Sequence, residues 1–142
     1  MHRQDLGAAY RKTSYVVEAP GAAGFAIRIG ECCPPLDELL ERTGTRLWAF
    51  VTACNPRSEP LSSAENAARM ERLREVIERG GYAFLPGAGV PDEAGWSPEP
   101  SFLVLGMTAA AAADIGGLFE QHAIVVGSRG AAAALLWIST EP

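Results

Sequence analysis

Leu47 to Thr52 reads Leu-Trp-Ala-Phe-Val-Thr, so a strand formed here carries apolar side chains on both faces. Such a strand must be covered on both sides, which places it in the middle of a sheet. The segment ends abruptly in Ala53-Cys54-Asn55-Pro56, a turn signature.

The flanking segments supply the cover. Phe25, Ile27 and Ile29 alternate with Ala26 and Arg28, the pattern of a half-buried strand, and Tyr10 to Val17 reads as its hairpin partner across a turn at Pro20 to Gly24. Pro34-Pro35 opens a short helix with the stripe Leu36, Leu39 and Leu40, and Gly44 stops it. Ser62 and Glu65 have the spacing of a capping box. The helix they start buries Met70, Leu73 and Ile77 and sets Glu65–Arg69, Arg74–Glu78 and Glu75–Arg79 as i,i+4 pairs on its wet side. Tyr82 to Leu85 is a short strand. Pro86 to Pro98 then reads as the longest irregular stretch, ordered by burial of Trp96. Phe102 to Leu105 is another apolar strand, and Thr108 caps an Ala-rich helix that Gln121 and His122 end. Ala123 to Val126 and Ala133 to Ile138 close the chain as strands joined by Gly127-Ser128-Arg129-Gly130. The expected fold is α/β (α+β): a single mixed sheet of about six to seven strands with three helices packed on it. Its 142 residues make one domain, with residues 1–9 as a loosely ordered lead-in.

Composition narrows the function classes. A net charge of −5 argues against non-specific nucleic-acid binding, which needs a basic face. The longest apolar stretch, about Phe102 to Ala113, falls short of the ~18 residues that span a bilayer, and Met1 to Asp5 opens no signal-peptide run. Three cysteines, two of them adjacent, suit a reducing compartment, so the expected location is cytoplasmic. No P-loop, dinucleotide fingerprint, nucleophile elbow or CxxC occurs, and His2 and His122 cannot build a His-rich metal site. No cofactor or metal is therefore expected.

A few polar residues stand out by position. Thr52 and Asn55 follow the central strand, either as turn residues or as polar groups at the mouth of the sheet. Asn66 extends the stripe of Met70, Leu73 and Ile77, so it either ties down the Asn55 loop or faces a ligand. Glu99 is held between Pro98 and Pro100, as an acceptor for loop N–H groups or as a general base. Gln121 is a recognition group rather than an acid or base. Arg11, beside Tyr10 and Lys12, is either an exposed edge charge or an anion clamp. Cys54 makes a nucleophile only with a base such as His122 beside it, the weaker reading.

Taken in order, Tyr10-Arg11-x-Thr13-x-Tyr15, Thr52-Ala53-x-Asn55-Pro56, Asn66, Trp96-x-x-Glu99-x-Ser101 and Gln121-x-Ala123 resemble the bacterial family called domain of unknown function 3293. The resemblance runs from about Tyr10 to Leu136. It implies no particular activity. Cys54 and His122 depart from the family pattern, in which an aromatic and an asparagine are usual, and this weakens a Cys54–His122 pair. Two readings stay open. In the first, Thr52, Asn55, Asn66, Gln121 and Arg11 bind a small polar, nucleotide- or sugar-like ligand and Glu99 is the catalytic base of a hydrolase or transferase. In the second, the same residues lock loops, and the domain is a protein-interaction module presenting Trp48, Trp96 or Trp137.

Overall fold

Trp48 and Phe50 pack on one side of the central strand and Ala49 and Val51 on the other, all buried. The computed structural model describes residues 3–19 and 23–138. Its elements run α1 (Arg3–Arg11), β1 (Thr13–Val17), β2 (Phe25–Ile27), α2 (Pro34–Thr43), β3 (Leu47–Val51), α3 (Ser63–Arg79), β4 (Ala83–Pro91), β5 (Glu99–Leu105), α4 (Ala109–Leu118), β6 (Ala123–Ser128) and β7 (Ala134–Trp137). A short 3-10 turn over Pro56–Ser58 follows β3. Met1 and His2, and most of the expected turn at Pro20 to Gly24, lie outside the described residues.

The strands form a 7-stranded sheet in the order β2-β1-β4-β5-β3-β6-β7. The α+β class holds, with two corrections. Among the described residues every ladder is antiparallel, where a mixed sheet was expected, and four α-helices are present rather than three. The sheet also curls. Ile29, just past edge strand β2, makes a parallel bridge to Ala133, just before the opposite edge strand β7, and Gly30 N donates to Ala133 O at 2.8 Å. Joining the edges hides the unpaired backbone that an open sheet would leave exposed.

Two apolar clusters follow from this shape. One collects Tyr15, Val17, Ile27, Trp48, Phe50, Leu103 and Val125, with Leu36 and Leu40 of α2 and the partly buried Leu85 and Leu135. It draws on all seven strands, as the inside of a curl must. The other draws its buried strand residues from β3, β5 and β6 and packs them against Met70, Leu73 and Ile77 of α3 and Ile115 of α4.

Local chemistry fixes several boundaries as expected. The Ser62 side chain accepts from Glu65 N while the Glu65 carboxylate accepts from Ser62 N, a reciprocal box at the start of α3. Thr108 accepts from Ala111 N at the start of α4. Gly44 takes a left-handed φ of 68° at the end of α2.

Three segments depart from expectation. Tyr10 and Arg11 belong to α1, and the strand starts only at Thr13. Arg3–Arg11 is thus a helix where a loose segment was expected. Its buried side is narrow, Leu6 followed one turn later by Tyr10, and so carries little periodic signal. The irregular Pro86–Pro98 stretch is really strand as far as Pro91. The N and O of a strand residue point to the same neighbour. Pro86 O accepts from Glu18 N at 2.9 Å, so the missing N–H would point just past Val17, the last paired residue of β1. Pro91 faces the other way, beyond the start of β5, where no ladder bond is lost. Finally, Trp96 is not a buried anchor but is 67 % exposed.

Gly87 of β4 sits where a Cβ would lie 2.4 Å from Val16 O and 3.1 Å from the Phe50 ring. Backbone and a packed ring cannot both yield, so Gly87→Ala is expected to cost about 2 kcal/mol. Urea unfolding checks this; an unchanged midpoint would show that β1 and β4 can separate freely there.

Candidate functional site

Antiparallel alternation brings the first residues of β1, β5 and β6 to the same end of the sheet as the last residues of β3 and β4. That end is the mouth of the curl. Glu99 is the first residue of β5 and shares its inward face with Ser101, Leu103 and Leu105. Asn55 lies beyond the end of β3, Gln121 ahead of β6, and Tyr10 just ahead of β1. A cleft of about 1260 Å³ opens here, with Thr52, Asn55, Asn66, Glu99 and Gln121 in its wall. Five of the six residues singled out in the sequence therefore gather in one place. Arg11 does not. It is exposed on α1, does not line the cleft, and lays its guanidinium over Gly7.

Asn55 is the hub. Its backbone is left-handed (φ 48°), as are Arg57 and Ser58 after it. Asn tolerates this conformation better than most residues. Its Oδ1 accepts from Leu61 N (3.0 Å) and from Asn66 Nδ2 (2.9 Å), and its N–H donates to Asn66 Oδ1 (2.9 Å). The Asn66 amide is thus engaged on both atoms and ties down the Asn55 loop, while the residue also lines the cleft. Thr52 Oγ1 donates to Pro100 O at 2.7 Å and accepts from Cys54 N. Gln121 Nε2 donates to Cys54 O (3.0 Å) and Phe119 O (3.2 Å).

One of the two Asn55 amide protons reaches Glu99: Nδ2 donates to Oε2 at 3.0 Å. Oε1 bonds to no described residue, and no fully buried side-chain polar atom lacks a partner, so this oxygen opens on the cleft. Burial pushes the Glu99 carboxyl above the usual carboxylate range, and the Asn55 hydrogen bond only partly offsets it. The ion pairs among the described residues are Arg28–Asp92, Arg69–Glu120 and Arg74–Glu78, and none involves Glu99. Tyr10 and Tyr15 stand close enough to feel its charge. Burial, and then Glu99, push the Tyr10 hydroxyl up to about 12. Burial, then Tyr10, act the same way on Tyr15, whose hydroxyl donates to Tyr10 O at 2.8 Å. Both phenols stay protonated and serve as donors.

Cys54 is 1 % exposed and directs Sγ at Pro100 O (3.7 Å). Burial pushes its thiol up, the wrong direction for a nucleophile. His122 makes no side-chain hydrogen bond to Cys54 and lies outside the cleft wall. Neither Gln121 nor His122 ends α4, which stops at Leu118. Among the described residues no group of His, Cys, Asp and Glu has the geometry to hold a metal ion.

Arg69 is the structural residue that the sequence reading missed. It was assigned to a wet-side pair with Glu65, yet Glu65 is committed to the Ser62 cap. Arg69 instead donates from Nε to Ala53 O and from Nη2 to Phe119 O, both at 2.6 Å, and lies 3.7 Å from Glu120. It stands three residues after Asn66 and four before Leu73, on the edge of the buried stripe, and that spacing was the available signal. The guanidinium fork joins the loop after β3 to the end of α4, and Arg57 N donates to Glu120 O (2.7 Å) across the same seam. Arg69→Met is expected to lower stability by about 2 kcal/mol, because Ala53 O loses its side-chain donor and Phe119 O keeps only Gln121 Nε2. Arg69→Lys should recover less than half, because an ammonium cannot span both. Thermal melts of the two variants check this, and full rescue by Lys would refute the fork.

Fold and site together define an α+β domain whose curled antiparallel sheet presents a carboxylate-bearing cleft at one mouth. The chain belongs to the family described as protein of unknown function (DUF3293), whose model matches residues 51–124. That stretch carries Thr52, Asn55, Asn66, Arg69, Glu99 and Gln121, and is shorter than the resemblance read from the residues alone. No curated protein and no solved structure matches the chain. No helix among the described residues is long and apolar enough to cross a membrane.

Proposed function

We propose that the mouth of the curled sheet binds a small polar ligand and that Glu99 is its proton acceptor, in a hydrolase or transferase reaction. The observation that carries this reading is the state of Glu99. Its carboxylate has one oxygen fixed by Asn55 and the other open to the cleft, with no cation beside it. Burying an unpaired carboxylate costs stability, and folding gains nothing from it. A raised carboxyl beside protonated phenols suits a proton acceptor better than an ordinary surface carboxylate does. In the reaction envisaged, Oε1 takes the proton of a water or ligand hydroxyl as that oxygen attacks, and returns it to the leaving group. Asn55 keeps Oε2 in place throughout. A nucleoside- or sugar-like ligand suits the aromatic and amide groups of the wall. The cytoplasmic location proposed from the sequence is compatible with the free cysteines Cys32, Cys33 and Cys54.

The test is a thermal-shift panel of nucleosides, sugars, amines and their phosphorylated forms. A ligand at 100 times its Kd adds about 2.7 kcal/mol, on the order of 10 °C here. The hit should vanish in Glu99→Gln and survive in Arg11→Ala. A flat panel, with no cleft resonance perturbed in NMR spectra, would reduce the polar set to a loop lock. Trp96 favours the second reading, an interaction module, because an exposed indole is a common interface anchor. Of the other two indoles, Trp48 is buried, and Trp137 is partly covered by Tyr10 and Arg3. The flat panel is the outcome that would promote this reading.

A further inference from the structure

We infer that the ligand of this cleft carries a protonated amine rather than a phosphate or carboxylate, an inference that rests on the binding reading above. The charged side chains in the cleft wall are Glu71, Glu99 and Arg74. Two carboxylates against one guanidinium leave the wall net negative, and Arg74 is shared with Glu78, its Nε 3.0 Å from Oε1. Arg11, the one anion clamp that the sequence suggested, lies outside the wall. Arg28 is closed by a two-pronged contact with Asp92, both distances 2.8 Å. An anionic ligand would thus meet Glu99 with only Arg74, already shared with Glu78, to offset the repulsion, in a site already dry enough to raise that carboxyl. An ammonium reverses the repulsion: placed beside Glu99, it favours the ionised carboxylate, the form that accepts a proton in the reaction above. The rest of the wall suits the same group. Tyr10, Tyr15, Phe84, Phe102 and the exposed Trp96 line the cleft, and aromatic faces attract cations through their quadrupole. The Gln121 side chain donates inward to Cys54 O and Phe119 O, which keeps its amide protons from an anion. The open Glu99 oxygen is therefore an acceptor with no donor supplied by the protein, and the ligand must bring the donor.

The experiment holds shape constant and varies charge. Glucosamine, glucose and glucuronate form one series, and benzylamine, benzyl alcohol and benzoate the other. Each is titrated into full-length protein at pH 7 and followed by NMR chemical shifts. The expected result is that in at least one series the amine binds at least tenfold more tightly than its neutral partner and the acid does not bind. Glu99→Gln should reduce that amine preference to within twofold. An acid that binds as tightly as its amine, or an amine preference that survives Glu99→Gln, would overturn the charge assignment and leave the binding site standing. If no probe of any charge perturbs cleft residues, this inference fails. The broader panel above then decides separately whether the binding reading fails with it.

Discussion

Asn55→Ala is expected to destabilise the protein by about 4 kcal/mol, a Tm fall of roughly 15 °C. The side chain makes three hydrogen bonds, to Leu61 N, Asn66 Nδ2 and Glu99 Oε2. Truncation removes all three, and Leu61 N, Asn66 Nδ2 and the Glu99 carboxylate each lose a partner. Alanine also tolerates the φ of 48° poorly, at roughly 1 kcal/mol. Asn55→Gly separates the two costs. Glycine adopts that backbone freely, so it should recover about 1 kcal/mol and no more. If glycine restored wild-type stability, the hydrogen bonds would be incidental and strain the whole effect. Chemical denaturation of the three proteins, with m-values compared, decides this. The same loop holds two more left-handed residues, Arg57 and Ser58, and leans on Glu120 (φ 58°), the remaining left-handed residue other than glycine among those described. Hub and strained backbone coincide at the rim of the cleft, a common arrangement where a site must be held in shape.

What was legible in the sequence was what local chemistry decides. The Ser62–Glu65 box, Pro34 at a helix start and Gly44 at a helix end each act within one turn, so neighbouring residues suffice to read them. Asn66 is legible as an extension of the Met70, Leu73 and Ile77 stripe because its helix period is strong. The apolar run of Leu47–Val51 gave its own central position. The antiparallel ladders were not legible, because hairpins and crossovers leave the same pattern along the chain. The curl is closed by backbone contacts of Ile29, Gly30 and Glu31 with Ala133, more than a hundred residues away in the chain. Pro86 and Pro91 misled because a proline's cost in a strand depends on which neighbour its missing N–H would face. Arg11 was misplaced for a helical reason: on α1 adjacent residues differ by about 100° in direction, so Tyr10 faces the cleft while Arg11 turns away. Tyr10 and Tyr15 belong to the resemblance, but nothing local in the chain marks them as site residues. The carboxylate that gives them meaning sits on β5, with β4 between it and β1.

Glu99→Gln is expected to stabilise the protein while removing its function. The amide is isosteric, and its Oε1 can still accept from Asn55 Nδ2. What it removes is a negative charge whose burial the fold does not compensate. A gain of about 1 kcal/mol, roughly 4 °C in Tm at pH 7, is in the range of such relief at functional sites. The pH dependence gives the sharper test. The folded-state pKa of Glu99 is raised, so the native state holds this proton more tightly than the unfolded chain does. Its contribution to stability is therefore fully present below the unfolded pKa, about 4.3, and is lost as pH rises through the folded value. Glutamine does not titrate. The Tm difference between variant and wild type should be near zero at pH 4, widen above the ordinary Glu range, and level off once Glu99 is ionised in the native state. The other carboxylates are common to both proteins and cancel. A difference that stays constant across pH would mean that the gain comes from packing and that Glu99 is not held at a cost. A gain that grows with pH, joined to loss of ligand binding, would mean that the fold carries a destabilising carboxylate at its mouth because the ligand needs it there.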